Sequence, residues 1–296
     1  MTAMTLFNKN YPYGSSAFHQ MVSNQVQSAL DEDIGTGDLT AQLIPATLFV
    51  SANIIVRDSA VICGIDWANS CFKQIDANIE VDWHVVEGDY VYANQELCSI
   101  QGLARSLLTG ERCALNFLQT LSATATETRK YVDAIAGTHA LILDTRKTIP
   151  NLRLAQKYAV TVGGGHNQRL ALYDGILIKE NHIAAAGSIS AVMAHAIALN
   201  TNKSIQIEVE NLIQLQEALD VGANSILLDN FSPALLREAV HLNEKYEKFA
   251  ILEASGGITL ANVREIALTG VHRISIGAIT KNVQAIDLSM RIIGSD

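Results

Sequence analysis

The chain has 296 residues, 49% of them hydrophobic and 17% charged, with a formal net charge of −9. This composition excludes disorder and supports one large α/β domain or two unequal ones, with a mean hydropathy of +0.18 that points to further burial between subunits. The acidic balance excludes a general nucleic-acid or membrane-surface binder, while allowing a cationic pocket inside an acidic shell.

The first residues, MTAMTLFNKNYPYG, lack a basic start followed by an apolar run, so they do not read as a signal peptide. No apolar run approaches the roughly 18 residues of a membrane span. Cys63, Cys71, Cys98 and Cys113 have wide, irregular spacings without a CxxC, which predicts reduced, mostly buried thiols in a cytoplasmic protein. The eight histidines show no HExxH or paired-ligand spacing, so no zinc site is expected.

A helix is predicted near residues 18–31. Strands with Gly, Asp and Asn turns follow in LFVSANIIVRDSAVICG (48–64) and IEVDWHVVEGDYVYANQELCSIQG (79–102), making a smaller α+β domain. The EGDYVYANQEL pattern resembles the hairpin of biotinyl and lipoyl carriers. A carrier needs a modifiable lysine at that turn, however, and none occurs between Lys73 and Lys130, so a structural hairpin is expected. A long helix over 110–135 carries Arg112, Asn116 and Gln119 as one polar stripe. That stripe suits a solvated face and a site or subunit interface equally.

From about residue 140, β-rich runs alternate with helical patterns. The runs are ALILD (140–144), GILIK (175–179), SIQIEVE (204–210), SILLD (225–229), FAILEAS (249–255) and RISIG (273–277). One intervening helix places Leu152, Ala155, Tyr158, Ala159 and Val162 at helical spacing. Nearly continuous Ile, Leu and Val imply parallel strands covered on both faces. A barrel is favoured over a doubly wound sheet, because no GxGxxG follows the first strand and polar residues come at every strand end. The expected organisation is an N-terminal α/β sandwich over 1–118 and an incomplete, six- or seven-stranded α/β barrel over 119–281. A C-terminal helix over 282–296 is expected to pack on the first domain.

The strand ends carry the chemistry. Arg146, Lys147, Lys179 and Arg169 form a cationic set suited to a multiply anionic ligand, with Arg able to grip carboxylate or phosphate bidentately. Glu208 and Asp229 offer oxygen ligands from neighbouring strands, either for Mg²⁺ bridging to a phosphorylated substrate or simply to neutralise the cations. EASGGIT and SIGAIT place Ser255, Gly256, Gly257 and Gly277 after the last two strands, with a helix starting near Thr259, as a phosphate site. These residues describe a barrel enzyme acting on a phosphorylated sugar and a second anion, with Mg²⁺ and no organic cofactor. A Schiff-base aldolase using Lys147 or Lys179 fits them equally well.

Taken in order, DTRKTIPNLRLAQKYAV, GILIKENHI, EVENL, LLDNF, EASGGIT and SIGAIT resemble the quinolinate phosphoribosyltransferase family. DEDIGTGDLT (31–40) and GERCALNFLQTLS (110–122) fit it too, so the resemblance spans residue 25 to the C-terminus. It implies an N-terminal sandwich plus an incomplete barrel, assembled as a homodimer or higher oligomer. It also implies transfer of phosphoribose from phosphoribosyl pyrophosphate to quinolinate, with release of pyrophosphate and CO₂. By resemblance, Arg146, Arg169, Lys147 and Lys179 surround quinolinate and pyrophosphate, and Arg112 enters from a neighbouring subunit. Glu208 and Asp229 lie near the ribose and Mg²⁺, and Ser255, Gly256 and Gly277 hold the 5′-phosphate. One position departs: NQR stands where the family usually has NHR. Gln168 is expected to contact the ligand with altered strength, and His166, two residues back, is a weaker candidate. The rivals are a same-fold phosphoribosyltransferase with another acceptor and a Schiff-base phosphosugar lyase.

Overall fold

Ser15 starts the first helix, α1 (Ser16–Ile34), by accepting the Phe18 N–H. The protein is described by a computed structural model covering residues 10–295, and it divides into two units. The first comprises residues up to 129, 149–164 and from 282 onward; the second comprises 130–148 and 165–281.

After α1 the first unit runs through β1 (Phe49–Val56), β2 (Ala60–Val61), α2 (Ile65–Ile75), β3 (Glu80–Trp83), β4 (Tyr90–Val91) and β5 (Glu96–Leu103). It then includes most of α3 (Ala104–Ala134) and all of α4 (Arg153–Val162). The segment expected to be a C-terminal helix is a strand, Leu288–Ser295, pairing antiparallel with β1. Its apolar residues alternate with polar ones over LSMRI, a period of two that suits a sheet edge. The four-stranded sheet has the order last strand–β1–β5–β3, and β4 pairs with β2 instead. Apolar faces of α1 and α2 meet this sheet in one core that includes Phe18, Trp67, Phe72, Ile54 and Ile100. All four cysteines are free and buried.

The expected long helix begins six residues earlier, at Ala104. Its Arg112 and Asn116 are exposed, and Gln119 donates to Asn116 Oδ1 at 3.4 Å. Helix α4, read from the sequence as part of the barrel rhythm, belongs to the first unit. Gly163 at its end explains part of the triple glycine. A Cβ there would lie 2.5 Å from the Ala125 carbonyl oxygen, so only glycine lets α4 approach α3 so closely.

The second unit is built on β6 (Leu141–Leu143), β7 (Gly175–Ile178), β8 (Ser204–Val209), β9 (Ser225–Asp229), β10 (Ile251–Ser255) and β11 (Arg273–Ser275). All are parallel, in the order β6-β11-β10-β9-β8-β7. Helices α5 (Glu180–Ala186) and α6 (Ile189–Ala198) follow β7, and α7 (Leu212–Asp220), α8 (Pro233–Asn243), α9 (Val263–Ala267) and α10 (Ala278–Lys281) follow β8, β9, β10 and β11 in turn. Ser188, Asn211 and Ser232 cap α6, α7 and α8 by accepting backbone N–H groups. No helix among the described residues is long and apolar enough to cross a membrane.

The strands are not equally apolar on their two faces. The register aligns Ile178, Ile207, Ile226, Leu252, Ile274 and Ile142 on one face, and all six are buried. The alternate positions carry Gln206 and Glu208, Asp229, Glu253 and Ser255, and Arg273 and Ser275 on the other face. Gln206 on β8 and Glu253 on β10 are separated by β9, yet their side chains hydrogen-bond at 2.9 Å. Strands two apart lie about 9–10 Å away, a gap these two long side chains span by meeting over β9 on the polar face of the sheet.

Candidate active site

Because all six strands are parallel, their C-terminal ends share one rim, and Asp144, Lys179, Glu208, Asp229, Ser255 and Gly277 all sit at that end. The buried Asp144 carboxylate organises the segment after α4. It accepts from Asn167 Nδ2 at 2.7 Å and from the Gln168 backbone N–H at 2.9 Å. The neighbouring backbone runs beside β6, with a parallel bridge between Leu143 and His166.

Arg146 and Arg169 follow from that arrangement. Burial, and then the charge of Arg146, lower the pKa of Arg169, which places the two guanidinium groups in each other's field. Arg169 Nη1 donates to the Gly175 carbonyl at 3.1 Å. The Nε of Arg146 and the Nε of Arg169 are both buried without a hydrogen-bond partner among the described residues. A charged donor left so costs on the order of 1–3 kcal/mol or more, which an anion between the two arginines would recover.

Lys147 lies against Gly277. A Cβ on that glycine would be 2.9 Å from Lys147 Cδ, so the missing side chain makes room for the lysine stem. The Lys147 backbone is fixed at both ends: its N–H donates to Thr145 Oγ1, and its carbonyl accepts from Thr280 Oγ1 at 2.8 Å.

Lys179 pairs with Glu208, Nζ to Oε2 at 3.0 Å; the lysine side chain is 44% exposed and the glutamate 12%. Glu208 therefore does neutralise a cation, one of the two roles its position allowed. Asp229 accepts from Asn230 Nδ2 at 2.8 Å and stays half-buried at the rim. Among the described residues no three His, Cys, Asp or Glu side chains form a metal-holding group. Two carboxylates on adjacent strands supply hard oxygen donors, and these suit Mg²⁺ when substrate oxygens and water complete its shell.

The loop after β10 is shaped by two asparagines. Asn230 donates its N–H to the Ser255 carbonyl at 2.9 Å, and a Cβ on Gly256 would fall 2.1 Å from Asn230 Oδ1. Gly256 and Gly257 have φ of 94° and 61°, the left-handed region that favours glycine. Asn262 accepts the Thr259 N–H and donates to the Gly257 carbonyl. The helix expected near Thr259 begins only at Val263 and lasts five residues. A helix dipole is therefore not what this loop offers an anion; its backbone N–H groups, freed of side chains at two glycines, are.

Gln168 points its amide nitrogen inward, donating to Gln206 Oε1 at 2.8 Å. His166 is exposed. Partial desolvation, then the charge of Arg273 at the start of β11, lower its pKa, so it is held neutral and is not a fifth cation. Arg112 lies on the exposed stripe of α3 in the first unit. Sequence reading missed Gln206 and gave Asn230 no role. The signal for Gln206 was present, as a polar residue two before Glu208 in an otherwise apolar strand, on the same face of the sheet.

The description "Quinolinate phosphoribosyl transferase, N-terminal domain" matches residues 38–122, and "Quinolinate phosphoribosyl transferase, C-terminal domain" matches 124–291. A nicotinate-nucleotide pyrophosphorylase structure from Francisella tularensis is 44% identical, with a TM-score of 0.89, covering 93% of this chain and 97% of that one. Its counterpart from Ehrlichia chaffeensis is 40% identical, with a TM-score of 0.87 and coverage of 92% and 98%. A decarboxylating quinolinate phosphoribosyltransferase of Nicotiana glauca is 37% identical, over 90% of this chain and 81% of its own length.

Proposed function

The chain belongs to the quinolinate phosphoribosyltransferase family, and we propose that it transfers phosphoribose from phosphoribosyl pyrophosphate to the nitrogen of quinolinate. Pyrophosphate and CO₂ leave, and nicotinate mononucleotide, a precursor of NAD, remains. The observation that carries this reading is the Arg146–Arg169 pair, with two buried Nε donors that have no partner among the described residues, suited to an acceptor bearing two carboxylates.

In this assignment Arg146 and Arg169 hold the carboxylates, with Gln168 beside them. Lys147 and Lys179 face the pyrophosphate, while Ser255, Gly256, Gly257 and Gly277 receive the 5′-phosphate. Glu208 and Asp229 flank the ribose carbon from which pyrophosphate departs. Mg²⁺ would be held by Asp229 and Glu208 with the pyrophosphate, and would supply charge neutralisation of that leaving group.

The protein's part in the reaction is positional and electrostatic. The lysines draw off the negative charge that accumulates on pyrophosphate as its bond to the ribose breaks. The two carboxylates stabilise the electron-poor ribose carbon, and the arginines hold the pyridine nitrogen in line with it. Once that nitrogen is alkylated, the ring is a pyridinium. The bond to the adjacent carboxylate breaks, its electron pair stays on the ring carbon next to N⁺, CO₂ departs, and that carbon takes a proton.

We further propose a homodimer or larger assembly, working in the cytoplasm, in which Arg112 of each protomer completes another's site. Its support is an exposed arginine on an otherwise largely buried stretch of α3. Mixing inactive Arg112→Ala and Lys179→Ala proteins would restore activity if sites are shared, and leave none if they are not. The test of the main reading is a coupled assay for nicotinate mononucleotide and CO₂ with purified protein, phosphoribosyl pyrophosphate and Mg²⁺. Turnover of quinolinate but not of nicotinate is expected, and failure to release pyrophosphate from quinolinate overturns the reading.

A further inference from the structure

The polar face of the second unit's sheet holds a row of side chains that starts at Gln168 and runs on to two residues no step above uses, Gln206 and Glu253. Gln168 Nε2 donates to Gln206 Oε1 at 2.8 Å, and Gln206 Nε2 donates to Glu253 Oε2 at 2.9 Å. Gln206 and Glu253 are buried, Glu253 almost completely. The direction of donation in this row is not free. An amide carries its donor and its acceptor on one planar carbon, so giving the Gln206 nitrogen to Glu253 turns the Gln206 oxygen toward Gln168. An oxygen can only accept, so Gln168 must offer its nitrogen. The carboxyl at the end of the row thereby sets the sense of both amides.

The other end of the row is anchored separately. The Gln168 backbone N–H and the Asn167 side chain both donate to the buried Asp144 carboxylate, which keeps the segment in place. With the backbone held, what matters to a ligand is which of the amide's two ends, nitrogen or oxygen, is turned toward Gln206. Exchanging the two would present an acceptor where a ligand meets a donor, or the reverse.

We propose that Gln206 and Glu253 are positioning residues for the acceptor substrate: they hold the Gln168 amide in one of its two orientations. The inference rests on the reading of Gln168 as a residue of the acceptor pocket. It also bears on how an amide works at a position where the family resemblance led to the expectation of histidine. An imidazole sets its donor by tautomer, whereas an amide needs a neighbour to choose its orientation, and here the neighbour is Gln206. Burial raises the pKa of Glu253, against the hydrogen bond from Gln206 and the charge of Arg273. Only the ionised carboxylate is limited to accepting, so it is in that form that Glu253 fixes the sense of the row.

The experiment is steady-state kinetics with both substrates, plus melting temperatures, for Glu253→Gln, Gln206→Leu and Gln206→Glu in the full chain. Glu253→Gln keeps the shape but can donate as well as accept, so both orientations become populated. The quinolinate KM should rise about two- to fivefold, with the phosphoribosyl pyrophosphate KM unchanged and no loss of melting temperature. Gln206→Leu removes the neighbour, and the quinolinate KM should rise about tenfold. Gln206→Glu still accepts from Gln168 and should restore most of that loss. A merely structural role predicts the opposite pattern, with melting temperatures moving and neither KM changing. If Gln206→Leu does not fold, Glu253→Gln decides alone. An active wild type with a kinetically silent Glu253→Gln overturns this inference and leaves the functional reading standing. A wild type that does not turn over quinolinate overturns both.

Discussion

Glu87 and Glu253 are both buried glutamates, one in each unit, and burial is the first cause raising the pKa of each. Their partners differ. Glu87 accepts the backbone N–H groups of Gly64 at 2.8 Å and Ile65 at 3.1 Å, at the start of α2. The residue at that helix's N-cap is Gly64, which has no side chain to do this. Glu87 is thus a cap supplied from a distant loop, and it fixes backbone. Glu253 receives a side-chain amide, which receives another, and the row ends beside the rim arginines. The same residue type at the same depth holds the fold in one unit and orients a side chain in the other.

The comparison can be broken most forcefully at the far end of the Glu253 row. Arg169→Ala should lower kcat/KM for quinolinate about 100- to 1000-fold, roughly 3–4 kcal/mol, with little change in melting temperature, because removing the unpaired Nε offsets the loss of the Nη1 bond to the Gly175 carbonyl. Glu87→Ala should do the reverse. It leaves two helix-terminal N–H groups buried and costs about 2–3 kcal/mol of stability, seen as a lower urea midpoint, with both KM values at 25 °C unchanged. An intermediate case is Gly256→Ala, whose Cβ would collide with Asn230 Oδ1 at a φ of 94°. A loss of about 1–3 kcal/mol is expected there, partly relieved by Asn230→Gly, together with a higher KM for phosphoribosyl pyrophosphate.

The smallest effect concerns pH. Glu253 holds its proton more tightly folded than unfolded, so its contribution is complete below the ordinary value of 4.5 and is lost as pH rises toward the raised folded value. Glu253→Gln removes that loss. Its stability relative to wild type should therefore grow as pH rises above 4.5, by about 1.4 kcal/mol per pKa unit of the shift, measured by urea melts across that range. A difference that shrinks with rising pH would mean that the buried carboxyl is stabilised as an anion.

Much of the second unit was legible because its strands punctuate the sequence: six β-rich runs became six parallel strands within a few residues of their expected ends. Residues at strand ends were found for the same reason. Gln206 was not, because it lies inside a strand, where one polar residue among isoleucines looks like noise until register pairs it with its neighbours. The strands were also read as apolar on both faces, since counting apolar residues hides which face the others share. Helix α2 was overlooked because IDWANSCFKQI begins after a glycine, with no capping side chain of its own; its cap, Glu87, comes much later. The final segment was misread although LSMRI alternates with a strand's period of two, because so short a run stays ambiguous until β1 offers an edge to pair with.

That last strand has a consequence for synthesis. On the ribosome β1 emerges early, but its outer neighbour, Leu288–Ser295, appears only after the whole second unit has been made. At about 5–20 residues per second, roughly 10–50 seconds pass with one edge of β1 unpaired. The nascent chain carries an open strand edge through that interval, the feature most apt to pair with the wrong neighbour on a crowded polysome. Until Leu288–Ser295 has been made, the first unit has three of the four strands of its sheet, and chaperone demand should peak in that window.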